Sequence, residues 1–201
     1  MTPTTRNLSL TFCTAQFGDL LGRCEITGKD GIALGVEPGM SVAMKRLAQA
    51  NQNHSSVYVI GNGGSAGVAS HAVIDLVNVG KLRAFTLHEP AMLTCMANDY
   101  GYEQAFARIL AQIAKPGDIL IAISSSGNSE NIRNAAAQMT NSGGTVITLS
   151  GFAGDNPLRS LGDINIWLDS RDYGLVEIGH QFILHNMSDR FGAGLQEGAA
   201  L

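Results

Sequence analysis

Residues 57–75 read VYVIGNGGSAGVASHAVID. Val57-Tyr58-Val59-Ile60 is an apolar, β-rich run, Gly61-Asn62-Gly63-Gly64-Ser65 is a turn, and apolar residues at helical spacing follow. The pattern predicts strand, glycine turn, helix. Glycines accept positive φ and let a ligand come close to the backbone. The helix start adds unpaired N–H groups and the positive end of its dipole, so Gly61 to Ser65 suits an anion, most often a phosphate. Two other readings stay open at this point. Gly61, Gly63 and Ala66 fit G-x-G-x-x-A, a dinucleotide spacing that wants an acid about 20 residues on, at the end of the next strand. Glu89, before Pro90, sits too far along for that role, so no nucleotide cofactor is expected. The plainest alternative is a tight turn with no ligand.

Outward from this stretch, strands and helices alternate. Ala84–His88, Asp118–Ile123, Thr145–Leu149 and Ile164–Leu168 read as strands. Tyr102–Ala114, Glu130 to about Thr140 and Tyr173–Phe191 read as helices, and Glu89–Asp99 as irregular or helical. With Val57–Ile60 this makes a five-stranded, parallel, doubly wound α/β sheet with right-handed crossovers. Ser129 is placed to cap the helix that starts at Glu130. Residues 1 to 6 are polar and read as a loose end. Two helices precede the sheet within about 7–52, one over Leu8–Leu21 and one over Met40–Asn51, and no strand is expected between them. They are available to pack on the sheet or on another subunit.

The totals narrow the classes. A chain of 201 residues, 45% hydrophobic and 15% charged, suits one α/β domain with a sizeable core, its sheet spanning about 56–192. A formal charge of −4 argues against nucleic acid as a partner. Cys13, Cys24 and Cys95 make neither a disulfide framework nor a zinc finger. No signal peptide and no apolar run of membrane length is present, so no membrane partner is expected and the cytoplasm is the default location.

Ligands of such sheets bind outside the carboxyl ends of the strands. Two of those ends carry anion-cradling sequences: Asn62, Gly63, Gly64 and Ser65 in the first, and Ser124-Ser125-Ser126-Gly127-Asn128-Ser129 in the second. Hydroxyls and backbone N–H groups can surround a phosphomonoester without a cationic tether.

G-N-G-G-S followed by S-x-S-G-N-S resembles the sugar isomerase (SIS) domain family, and Asn98-Asp99-Tyr100-Gly101 between them resembles its phosphoheptose isomerase branch. The similarity runs from about residue 38 to 192. It implies a flavodoxin-like SIS fold and the conversion of sedoheptulose 7-phosphate to a heptose 7-phosphate. It also implies phosphate contacts from Ser65, Ser124, Ser126 and Ser129, Asp99 in the substrate pocket, and a homotetramer with sites at subunit boundaries. The family's His-x-x-x-Glu falls on His71 and Asp75. Its Gln-Glu-x-His with a second His five residues later falls on Glu177 to His180 and His185. The family thus implies Asp75 and His185 as acid–base groups, and His71, Asp75, Glu177 and His185 as ligands of a zinc ion.

Helical spacing agrees. His71 and Asp75 are i and i+4, on one face. Glu177 and His185 are eight apart, roughly 80° around their helix. Isomerisation between C1 and C2 needs a base for a carbon-bound proton and a group that relays hydroxyl protons through an enediol. The chain departs from the family at four points: Asp75 for Glu, about 1.5 Å shorter, Glu177 for Gln, Gly174 for Asp, and Val79 for Arg, with Lys81 or Arg83 as nearby substitutes. These changes favour a rival, a non-catalytic phosphosugar-sensing or protein-binding module. Retention of His71 and His185 favours the enzyme. Blander readings stand beside each: core or interface histidines for His71 and His185, a salt bridge for Asp75, a solvated or helix-start acid for Glu177, and a structural role for His180. His54 and His88 carry no expected role.

Overall fold

The computed structural model describes residues 7–197, with side chains through residue 194. The expectation for residues 1–6 falls outside the described residues.

The five predicted strands form one sheet: β2 (Ser56–Ile60), β3 (Arg83–Thr86), β4 (Ile119–Ser124), β5 (Thr145–Ser150) and β6 (Ile164–Trp167). They pair in parallel in the order β3-β2-β4-β5-β6. Every residue of β4 is buried, as its uninterrupted apolar run requires of a strand covered on both faces. Asp118 sits just ahead of β4. Its carboxylate accepts from the Ser56 N–H at 2.8 Å and the Lys115 N–H at 2.9 Å, which fastens the start of β2 to the start of β4.

A sixth strand corrects the reading of the N-terminal region. β1 (Glu25–Gly28) lies between the first two helices, α1 (Leu10–Gly22) and α2 (Val36–Gln52), and pairs antiparallel with β6. The Lys29–Gly31 turn folds the chain back, and Leu34 N–H donates to the Ile26 carbonyl at 2.8 Å. Four residues are too few to carry a period, and Ile26 is the one large apolar side chain among them, so the strand exists because β6 offers it an edge.

Helices cover both faces. α2, α3 (Gly64–Asn78) and α7 (Tyr173–Glu197) pack on one face around Leu47, Val59, Leu76, Ile121 and Met187. α5 (Ala105–Ile113) and α6 (Glu130–Asn141) pack on the other around Tyr58, Phe106, Leu120 and Ile132. α4 (Pro90–Tyr100) lies outside them and buries no residue. α1 is capped by Ser9, whose hydroxyl accepts from Phe12 N–H at 3.3 Å. It buries only Leu20, and Leu10 stays 83% exposed. Its apolar stripe is thus largely uncovered within the chain.

Candidate active site

β2 and β4 are neighbours, and the chain order reverses between them. The two loops singled out in the sequence leave the carboxyl ends of these strands, so both open at the switch point where such sheets bind ligands. In the first loop Gly63 has φ of 54° and starts α3 with no side chain bonded to the leading N–H groups. A β-branched or bulky residue would be strained there. Ser65, one residue inside the helix, is 4% exposed.

The second loop is held from within. Ser124 Oγ donates to Ser129 Oγ at 3.2 Å, and Ser126 Oγ accepts from Asn128 N–H at 3.2 Å. Ser129 occupies the cap position of α6, but its hydroxyl makes no capping bond, contrary to the sequence expectation. Engaged with Ser124, it leaves the N–H groups of Glu130 and Asn131 free for another acceptor, while that of Ile132 donates to Asn131 Oδ1 at 3.0 Å. Ser125 Oγ is buried with no partner, and Gly127 packs so closely on Asn156 that a Cβ would collide. The loops enclose a cavity of about 160 Å³ lined by Ser65, Ser124, Ser125, Ser126 and Ser129, with Asn62, Tyr173 and Glu177 at its walls and no lysine or arginine.

A brace joins the loops. Asn62 and Asn131 exchange amide hydrogen bonds, 2.9 Å each way, and the Tyr102 hydroxyl donates to Asn62 Oδ1 at 2.8 Å. Neither Asn131 nor Tyr102 stood out in the sequence. A single asparagine carries no pairing signal, and the reciprocal bond exists only once α6 starts beside the first loop. His88, to which the sequence assigns no role, also supports the first loop. Its Nε2 accepts from Gly61 N–H at 3.4 Å and its ring meets Phe106 edge-on at 5.6 Å. Burial pushes its pKa down, which keeps the acceptor available.

The acid–base candidates meet further along α3. His71 Nε2 lies 3.4 Å and His185 Nδ1 3.1 Å from the same oxygen, Asp75 Oδ2. The two rings are perpendicular, 5.8 Å apart. Asp75 Oδ2 is buried yet receives no aligned hydrogen bond, although both ring nitrogens lie close to it. One donor atom from each residue thus falls within 4.8 Å of the others. Two imidazoles and a carboxylate in this arrangement are a donor set that could hold a metal ion. Both histidine side chains are 53% exposed against 13% for Asp75.

Other candidates stand apart. The Glu177 carboxylate is not in that group. It lies against Gly64, so closely that a Cβ there would collide, and faces the start of α3, where the dipole offsets its charge. Asp99 is exposed on α4, accepting from Asn98 Nδ2 at 2.9 Å, and does not line the cradle. Lys81 Nζ donates to the Asn78 carbonyl at 2.6 Å, and Arg83 lies beside Tyr58 and Phe85 on the sheet face opposite α3. Neither takes the place of an arginine at Val79. His180 is fully buried on α7, its Nε2 3.1 Å from the Ser150 carbonyl, and burial pushes its pKa down to about 4. It is a neutral strut between α7 and the end of β5. His54 is exposed in a loop.

Known proteins resemble this chain in sequence and fold. Residues 36–151 match the family model of the SIS domain. The phosphoheptose isomerase of Geotalea daltonii is 32% identical over 166 residues, 80% of this chain and 86% of that protein. The phosphoheptose isomerase of Mycobacterium tuberculosis is 37% identical over 150 residues, 72% of this chain and 76% of that protein. A phosphoheptose isomerase structure from Francisella tularensis superposes with a TM-score of 0.79 at 26% identity, covering 91% of this chain and 94% of that one. One from Neisseria gonorrhoeae gives 0.78 at 24% identity, covering 90% and 96%, a likeness of fold. With its model matched over more than half the chain, and with both serine-bearing loops at the switch point of the sheet, the protein belongs to the SIS domain family.

Proposed function

We propose that the protein is a phosphosugar aldose–ketose isomerase that converts sedoheptulose 7-phosphate to a heptose 7-phosphate through an enediol. The observation that carries the reading is the convergence of His185 of α7 with His71 and Asp75 of α3, the helix that also starts the hydroxyl cradle. From Ser65 to His71 α3 rises about 9 Å. At about 1.2 Å per bond, the eight bonds from phosphorus to C1 of an open seven-carbon chain reach about 10 Å. Asp75 lies about 15 Å along α3 from Ser65, so a phosphate in the cradle would bring C1 and C2 level with His71, whose Nε2 lies 3.4 Å from Asp75 Oδ2. The relatives named as phosphoheptose isomerases support the same substrate class.

The phosphate sits among Ser65, Ser124, Ser126 and Ser129, the open N–H groups of α6 and the unpartnered Ser125 hydroxyl. Asp75 or His185 removes the proton from C1 while the other delivers one to the C2 oxygen, which gives the enediol. The C1 hydroxyl then gives up its proton as C2 receives one, and the aldose forms. His71, Asp75 and His185 would hold a zinc ion, with Glu177 outside the set in this conformation. Zinc bound there polarises the carbonyl and hydroxyl oxygens as a Lewis acid.

The working form is a homotetramer. The half-exposed histidines and the uncovered apolar residues of α1, α3 and α7, among them Leu10, Ile74, Ile178 and Phe182, support cover by neighbouring copies. The three free cysteines suit the cytoplasm, where thiols stay reduced. No helix of the described residues is long and apolar enough to cross a membrane.

The test incubates the protein with sedoheptulose 7-phosphate in deuterated water, with added zinc and with a chelator. Aldose product, with deuterium at C2 when the proton exchanges, is the expected result. No aldose under either condition, across a panel of ketose phosphates, ends the enzyme reading.

A further inference from the structure

At the wall of the cradle stands an aromatic pair that the phosphate chemistry does not use. Tyr173 opens α7 and lines the cavity beside Ser124, Ser126 and Glu177. Tyr173 is 60% exposed, so it is not there to fill the core. Against it, edge-on at 4.8 Å and 72°, lies Phe152. Phe152 has φ of 59°. For a bulky side chain that is a strained, left-handed conformation, which glycine would adopt freely. Such strain persists where the surroundings impose it, and it concentrates at functional sites. Here the surroundings are explicit. Gly151 N–H donates to the carbonyl of Ser125, in the cradle itself, at 2.9 Å, and Phe152 N–H donates to the Ser170 carbonyl, just ahead of α7, also at 2.9 Å. The strained residue is thus pinned between the cradle and the helix that carries Tyr173, and its ring is aimed at Tyr173.

We infer that Tyr173, buttressed by Phe152, is a specificity-determining residue: an aromatic wall that touches the carbon chain next to the bound phosphate and favours long sugar phosphates over bare phosphate. The inference rests on the phosphosugar reading of the cradle. Ligand pockets commonly pair a few convergent polar groups with aromatic walls. In this site the serines and open N–H groups take the phosphate oxygens, and the Tyr173 ring offers an apolar surface to the C–H groups of the chain as it leaves the cradle toward His71 and Asp75. Inorganic phosphate has no carbon chain to lay against that surface.

The test measures calorimetric affinity of the full chain for sedoheptulose 7-phosphate and, separately, for inorganic phosphate. Tyr173→Ala should weaken the sugar phosphate about tenfold, the scale of one good aromatic contact, and change inorganic phosphate less than about twofold. Tyr173→Phe should keep the sugar affinity within about threefold, because the ring and not the hydroxyl makes the contact. Phe152→Gly suits the backbone and should still weaken the sugar phosphate several-fold by freeing Tyr173. Proportional losses for both ligands, or no loss for either, would overturn the inference, as would a parent protein that binds sedoheptulose 7-phosphate no better than inorganic phosphate. Turnover does not enter these ratios. A protein that shows the predicted discrimination and yet makes no aldose would lose the isomerase reading and keep the wall.

Discussion

The two halves of the site are built differently. In the cradle, Ser65, Ser124 and Ser125 are each 4% exposed, and the loops are tied by the Asn62–Asn131 exchange and the Ser124–Ser129 bond. In the acid–base cluster, only Asp75 is shielded, and His71 and His185 have 53% of their side chains in solvent. The cradle is complete within one chain because turn and helix-start geometry makes it. The cluster draws on two helices that are distant in sequence and leaves one side open. On the proposed reading, recognition of phosphate is a property of the protomer, whereas chemistry waits for a cover.

The largest effect that would separate the halves comes from Asp75→Ala. Removing the oxygen that both histidines approach should cut kcat by about 10²–10⁴-fold, while calorimetric affinity for inorganic phosphate stays within about twofold. An equal loss of both would mean that the halves are one unit.

His180 joins them, since it ties α7 to the end of β5. Its pKa lies near 4 in the fold, below the ordinary value of 6.5. The unfolded chain therefore binds this proton first on acidification. The stability that neutral His180 preserves is complete above about pH 6.5 and is lost as pH falls toward 4. The difference is on the order of 3 kcal/mol. Urea melts at pH 7 and pH 4.5 should show this loss in the parent, over and above the loss in His180→Gln. Parallel losses would remove the strut from the account.

Ser65→Ala combined with Ser126→Ala should weaken phosphosugar binding by about a hundredfold or more, since two hydrogen bonds to a charged ligand at roughly 1.5–3 kcal/mol each come to about 3–6 kcal/mol. The melting temperature should hardly move. Unchanged affinity would take the phosphate out of this cavity.

The smallest effect sharpens the role of the cover. Dilution through the dissociation range of the oligomer, followed by light scattering, should lower specific activity several-fold and leave phosphate affinity constant. A fully active monomer would show that the open side needs no neighbour.

Legibility followed locality. The glycine turn, the serine loop and the pair His71 and Asp75 are short-range patterns: a turn needs particular residues in sequence, and i, i+4 residues share a helix face whatever surrounds them. Five strands were readable for the same reason. β1 was not, because four residues at an edge take their structure from β6. The capping role read for Ser129 failed because Ser124 competes for its hydroxyl.

From the chain alone, then, come the parallel sheet, the hydroxyl cradle at its carboxyl edge, and His71 with Asp75 on one helix face. Each depends on backbone geometry within a few residues. The packing of α7 against α3 decided that His185 would meet Asp75 and that Glu177 would face Gly64 instead. The fold also decided that Asn131 would pair with Asn62, and that a phenylalanine would be held at positive φ beside Tyr173. These contacts join residues dozens of positions apart or depend on bonds from two separate loops. Their geometry is set by how whole elements pack, which no local pattern encodes.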